Sequence, residues 1–196
     1  ISRGFHVDFT CIFAWIFASN GISSLIVAFN ASYHHVESRK WIYQQLVSML
    51  LVGIFFVLIT LSVLMIIFSG EAIDILETKG ILTNKFIIAM LNHGRWPIIL
   101  GMLFLGFSFL YYLAPSRRQK FRFVSAGSSL ASLFLVLTSV GFSAFLNNFG
   151  QYNKLFGSIG TFMGFLIWIY ANSLVILIGF EINVSIKNAR FQQNGS

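Results

Sequence analysis

At 196 residues, 57% of them hydrophobic and 10% charged, the chain is unlike a soluble domain, which carries about 25% charged and about 45–50% apolar residues. There are too few polar side chains to cover a water-facing globule, and the mean hydropathy of +0.80 agrees. The net charge of +7 lies in short loops, where it sets topology and meets anionic head groups rather than nucleic acid.

A spanning helix needs about 20 mostly apolar residues, and five segments qualify. The first, residues 9–30, is uneven: Phe9 to Ala18 is apolar, Ser19-Asn20-Gly21 and Ser23-Ser24 are not, and Leu25 to Phe29 is apolar again. One polar-faced helix packed on its neighbours is the preferred reading. A pair of half-helices broken at Asn20-Gly21 is the alternative, of the kind that marks transport sites. Cys11 lies in the first apolar run and is expected to be a small buried hydrophobe; a single cysteine excludes an internal disulfide and a CxxC metal site. The second span, 46–68, contains no charge. The third, 96–113, opens on Trp96-Pro97, a favourable helix start because a first-turn proline gives up an N–H that has no partner, and Pro115 stops it. The fourth is 123–146 and the fifth 159–180. Between the second and third, the apolar clusters Ala72–Leu76 and Phe86–Leu91 predict short helices lying at the membrane interface; a plain solvated loop is the other reading. Trp41, Tyr43, Trp96, Tyr111 and Tyr112 fall at expected interfaces, where amphipathic rings belong.

The chain thus reads as one all-α, polytopic transmembrane domain over 1–196. If every candidate spans, Arg39, Lys40, Arg117, Arg118, Lys120, Arg122, Lys187 and Arg190 share one side, against Lys79, Lys85, Arg95 and Lys154 on the other. The positive-inside rule puts the first set and the C-terminus in the cytoplasm. The first span then starts outside, so a cytoplasmic N-terminus needs one more span upstream. The sequence opens on Ile1 with no signal-peptide pattern, consistent with a start farther upstream.

Three stretches carry a family resemblance. They are Ser24 to Tyr33 followed by Glu37 and Arg39; Leu110-Tyr111-Tyr112-Leu113-Ala114-Pro115, then a basic loop and Ser125-Ala126-Gly127; and Phe156 to Gly160, Trp168-Ile169-Tyr170 and Ile178 to Asn183. In that order and spacing the chain resembles the YihY/BrkB family of bacterial inner-membrane proteins, once labelled "ribonuclease BN". The resemblance implies a six-span helical fold with both ends in the cytoplasm, a further N-terminal span, no firmly established activity, and a ribonuclease label that is a misassignment.

The residues support no enzyme. A nuclease needs clustered carboxylates for metal ions or a histidine acid–base pair. Here Asp8, Glu37, Glu71, Asp74, Glu77 and Glu181 scatter over both membrane faces, and His34 and His35 would point about 100° apart on a helix. No metal site and no cofactor is expected. The spans hold no ionisable group near the bilayer centre, which weighs against ion coupling. Glu181 closes the last span and Arg39 follows the first, so an Arg39–Glu181 pair is expected, with Asn30, Tyr33, Glu37 and Asn183 in the same polar cluster. Tying helix ends together is its simpler role, substrate gating the sharper one. Trp168, Tyr170, Asn172 and Ser173 sit mid-span and pack or line a cavity. Arg117, Arg118, Lys120 and Arg122 orient the chain, with anionic head-group contact as their further use. Ser125, Gly127, Ser128, Ala131 and Ser132, and Gly160 with Gly164, predict close helix packing, with a homo-oligomer interface less expected. Membrane lipids are the expected partners. The leading functional expectation is non-enzymatic transport or handling of a lipid or other amphiphile. A solute or ion transporter, or a structural or regulatory protein without a substrate, are the alternatives.

Overall fold

The computed structural model describes residues 2–32, 40–80, 84–115, 123–148 and 153–194. They form five helices, α1 (Ser2–Ser32), α2 (Trp41–Thr78), α3 (Lys85–Leu113), α4 (Ala126–Asn148) and α5 (Asn153–Asn194), with no strand among the described residues. All five contain stretches long and apolar enough to cross a membrane. Helices are the form such segments must take, because hydrocarbon offers the backbone no hydrogen-bond partner.

Each helix packs on the next in sequence, most extensively α4 on α5, and a smaller α1–α5 contact closes the ring. α1 runs unbroken through Asn20-Gly21, as one helix with a polar face. That face is used: Gln45 Nε2 donates to Ser19 Oγ at 3.0 Å and Asn20 Oδ1 at 3.3 Å, and Gln44 Nε2 donates to Ser23 Oγ at 2.7 Å. The serines and asparagine that make this span look weak are the groups that fasten it to α2.

The segment between the second and third spans is not a pair of interface helices. α2 continues to Thr78, and α3 begins at Lys85, so that Pro97 lies inside a helix rather than at its start. At 1.5 Å per residue the 38 residues of α2 reach about 57 Å, against a hydrocarbon core of about 30 Å. Both helices therefore overrun the bilayer as a hairpin. Between Gly70 and Gly80 there is no glycine or proline to stop α2, and Ile73, buried, turns inward. Gly80 ends it with φ +67°, the left-handed conformation of a helix C-terminus. α5 likewise runs past its expected end at 180 to Asn194; Glu181 sits within it.

The core is asymmetric. Ile26 and Phe29 of α1, Leu51 of α2, Phe107, Leu110 and Tyr111 of α3, Ala131 of α4 and Phe180 of α5 bury together. Because the helices alternate in direction, late α1, α3 and α5 and early α2 and α4 meet at one end of the bundle. The Phe29 and Phe180 rings stack there at 4.3 Å. Tyr111, expected at the interface, is 2% exposed within this core, whereas Trp41, Tyr43, Trp96 and Tyr112 are exposed. Cys11, expected to be buried, is exposed. In a bilayer the apolar runs face outward as readily as inward: Phe17 (71%), Ile167 (64%) and Val140 (62%) are turned away from the protein, an arrangement water would not tolerate over so large a surface.

Candidate functional site

The α4–α5 pair joins polar groups across two spans, and it is built from small residues. Cβ atoms at Gly127 or Gly179 would meet neighbouring atoms at once. At Gly179 they would meet the Tyr111 hydroxyl, Ala131 Cβ at 3.0 Å and the Gly127 carbonyl at 3.0 Å; at Gly127, the Gly179 carbonyl and the Asn183 side chain at 2.6 Å. The small face expected at Ser125–Ser132 is therefore the packing face, and its partner is α5 of the same chain. This close approach lets Tyr111 reach across from α3, its hydroxyl donating to the Ile176 carbonyl at 2.8 Å.

Asn183 then completes α4. The first N–H groups of a helix have no partner within it. Here the Asn183 side chain, carried by α5, accepts from the Gly127 N–H at 2.8 Å and donates through Nδ2 to Ser125 Oγ at 2.9 Å. Ser125 and Ser128 close the cap locally, with Ser128 N–H donating to Ser125 Oγ at 3.3 Å. The cap explains why α4 starts at Ala126 rather than at Phe123, whose ring instead packs on Phe109 at 4.8 Å.

Farther along the pair, Thr138 Oγ1 donates to Asn172 Oδ1 at 2.9 Å, and Asn172 Nδ2 donates to the Trp168 carbonyl at 2.8 Å. Beyond this contact the helices stay packed, with a Cβ at Gly164 3.3 Å from the Phe145 ring, beside an open apolar groove of about 270 Å³ walled by Gly141, Phe142, Phe145, Gly164 and Trp168. Trp168 stacks on Phe142 at 5.7 Å and Phe165 at 5.9 Å. Its Nε1 is buried and has no hydrogen-bond partner among the described residues. A second apolar groove, about 190 Å³, lies between α2 and α3 beside Phe55, Ser62 and Met102.

Of the residues singled out in the sequence, Asn30 and Asn183 are buried at the packed end, while Glu181 is exposed. Tyr33, Glu37 and Arg39 lie outside the described residues, as do Arg117, Arg118, Lys120 and Arg122 and the histidine pair; the Arg39–Glu181 pair falls there with them. The mid-span set separates: Trp168 and Asn172 face α4, Tyr170 is 66% exposed, and Ser173 bonds back to the Ile169 carbonyl. The sequence reading missed the joining of Thr138 to Asn172 and of Tyr111 to Ile176. A hydroxyl and an amide near the middle of two adjacent spans were the available signal for the first. Among the described residues no three His, Cys, Asp or Glu side chains group closely enough to hold a metal ion.

Five apolar helices with their polar side chains joined to one another define a multi-pass helical membrane protein. The chain belongs to the family described as "Virulence factor BrkB", which it matches over residues 2–196. It is similar to the "Putative ribonuclease-like protein YfkH" of Bacillus subtilis, 29% identical over 92% of this chain and 66% of that protein. It is also similar to the "UPF0761 membrane protein IL2447" of Idiomarina loihiensis, 27% identical over 92% of this chain and 61% of that one, and to a "UPF0761 membrane protein" of Vibrio atlanticus, 25% identical over 89% and 54%. The chain thus spans between about half and two thirds of the length of these curated relatives. No solved structure matches it.

Proposed function

We propose that this protein holds or moves a lipid or another amphiphile in the bacterial cytoplasmic membrane, without catalysing a reaction on it. The observation that carries this reading is that the grooves beside α3 and α5 are apolar and open laterally, toward the region where acyl chains lie. Such openings suit an occupant that arrives from the bilayer rather than from water. A nuclease role, suggested by one relative's name, finds little support: Glu71 and Glu77 stand at the hairpin end of α2, and Glu181 at the opposite, packed end of the bundle, too far apart to share metal ions.

Reconstituted into liposomes with a fluorescent phospholipid, the protein is expected to speed exchange of that lipid between leaflets. A rate no higher than in protein-free liposomes would overturn the reading. The excess of basic residues in the stretches of sequence that follow α1 and α3 supports a cytoplasmic C-terminus. A reporter active only in the cytoplasm, fused after Ser196, is expected to be active; activity only of a periplasm-specific reporter would reverse the orientation.

A further inference from the structure

We infer that the seam between α2 and α3 is a phospholipid site in the leaflet nearest the hairpin, with the phosphate on the Arg95 guanidinium and one acyl chain in the apolar groove below it. The inference rests on the amphiphile-handling reading and names where the amphiphile sits. Three observations support it.

Arg95 and the groove share one seam. On α3, Ile99, Met102 and Gly106 follow Arg95 at i+4, i+7 and i+11, which puts all four on one face. Those three wall the groove together with Phe55, Ile59 and Val63 of α2. Arg95 also reaches α2, since a Cβ at Gly70 would lie 3.9 Å from its Nη1. Side chains on a helix lean toward its N-terminus, so the guanidinium is carried away from the groove and toward the hairpin.

The charge on this seam has no counter-ion in the protein. Arg95 is half-buried, so a head group can reach it, and its guanidinium has no hydrogen-bond or ion-pair partner among the described residues. Glu71 follows Gly70 in sequence, but about 100° of helical rotation separates the two, and Glu71 is exposed. A guanidinium is always charged and presents a planar fork of donors that fits a phosphate. The groove asks for the opposite chemistry. Ser62, the hydroxyl in its wall, already donates to the Leu58 carbonyl at 2.8 Å, so the groove offers its occupant hydrocarbon. A free phosphate would leave the groove empty, and a neutral hydrocarbon would leave Arg95 uncompensated. A phospholipid satisfies both.

The depth also fits. The apolar part of α3 begins at His93, and Trp96, next to Arg95, is 62% exposed, as suits a ring at the membrane boundary. The deep wall of the groove is Phe55 against Gly106, where a Cβ would lie 2.9 Å from the ring. From Arg95 to Gly106 the helix rises about 16 Å, close to half of a hydrocarbon core of about 30 Å. The site therefore runs from the boundary to the midplane, the depth of one leaflet. Its volume of about 190 Å³ lies below the roughly 300–1,000 Å³ of pockets that enclose whole drug-sized ligands, so it holds part of one chain while the rest of the lipid stays in the bilayer.

The test uses the full chain in vesicles doped with phosphatidylglycerol bearing a photoactivatable diazirine on one acyl chain, with label mapped by peptide mass spectrometry. Peptides covering 58–63 and 99–106 should carry about tenfold more label than the lipid-exposed stretch 9–18 of α1. Diacylglycerol with the same labelled chain lacks the phosphate and should label them about tenfold less. Arg95→Gln should lower phosphatidylglycerol labelling about tenfold and leave diacylglycerol labelling unchanged, while Arg95→Lys, which keeps the charge, should retain most of it. Val63→Phe, at an exposed position on the groove wall, should lower labelling by both lipids while the purified protein elutes as wild type. Added inorganic phosphate should displace nothing. Even labelling of all lipid-facing helices, wild-type labelling of Arg95→Gln, equal loss for both lipids in that variant, or displacement by inorganic phosphate would each overturn the site. Scrambling without seam labelling overturns the site and leaves the wider reading intact. Seam labelling without scrambling supports the site and removes movement from that reading.

Discussion

Gly179→Val is expected to abolish the folded protein. Added bulk in a packed interior costs about 1–3 kcal/mol where neighbours can adjust. At Gly179 they cannot: the obstacles are the Gly127 carbonyl, the Ala131 Cβ and the Tyr111 hydroxyl, and the first two move only with the α4 backbone. The helices must separate, which also breaks the Tyr111 bond to the Ile176 carbonyl and draws Asn183 away from Gly127. A total of at least about 3 kcal/mol follows, more than a hundredfold in the folded fraction. In detergent, the monodisperse elution peak should vanish or its thermal midpoint drop sharply. Gly101→Ala is the matched control, since a Cβ there meets nothing within 4 Å; it should elute and melt as wild type. A Gly179→Val protein as stable as Gly101→Ala would show that α4 and α5 do not approach as described.

The contrast between these glycines shows what can be read from sequence. The spans were legible because hydrocarbon imposes a strong rule: a run of about 20 residues without charge has few other places to go. The small face of α4 was legible for a related reason, because small residues are how membrane helices approach closely. Helix ends were not. α2 continues beyond the bilayer through Glu71 and Glu77, and α5 through Glu181 and Lys187, since a helix in water needs no apolar run and the composition change marks the membrane boundary rather than the end of the helix. Pro97 misled in the same way: favourable at a helix start, it is also tolerated within a membrane helix. Tyr111 illustrates the limit for side chains. Tyr111 and Tyr112 are chemically identical neighbours, but about 100° of helical rotation puts one in the core and leaves the other 51% exposed. Asn183 was picked out for its closeness in sequence to Glu181; its role lies across the interface, at the N-terminus of a helix that begins 57 residues earlier in the chain, a pairing no local pattern could show.

That pairing carries the second large effect. In Asn183→Leu the side chain keeps its bulk and loses both hydrogen bonds. The Gly127 N–H is left buried with no acceptor from α5, at about 1–3 kcal/mol, and α4 loses part of its cap, a feature worth about 0.5–2 kcal/mol. A net loss of about 2–3 kcal/mol is expected, read as a lower unfolding midpoint and as faster hydrogen exchange in the peptide covering 126–130. Ser125→Ala should cost less, because Ser128 Oγ still donates to the Ser125 carbonyl at 2.8 Å. The double variant should fall short of the sum by about 0.5 kcal/mol or more, since Ser125 and Asn183 share one network. Unchanged exchange at 126–130 in Asn183→Leu would remove the cap from the account. If the cap holds, α4 and α5 are clamped at Gly127, Gly179 and Asn183 at one end and joined again by Thr138 and Asn172 farther along. Asn183→Leu should therefore loosen the packed end before it loosens the contact at Thr138 and Asn172.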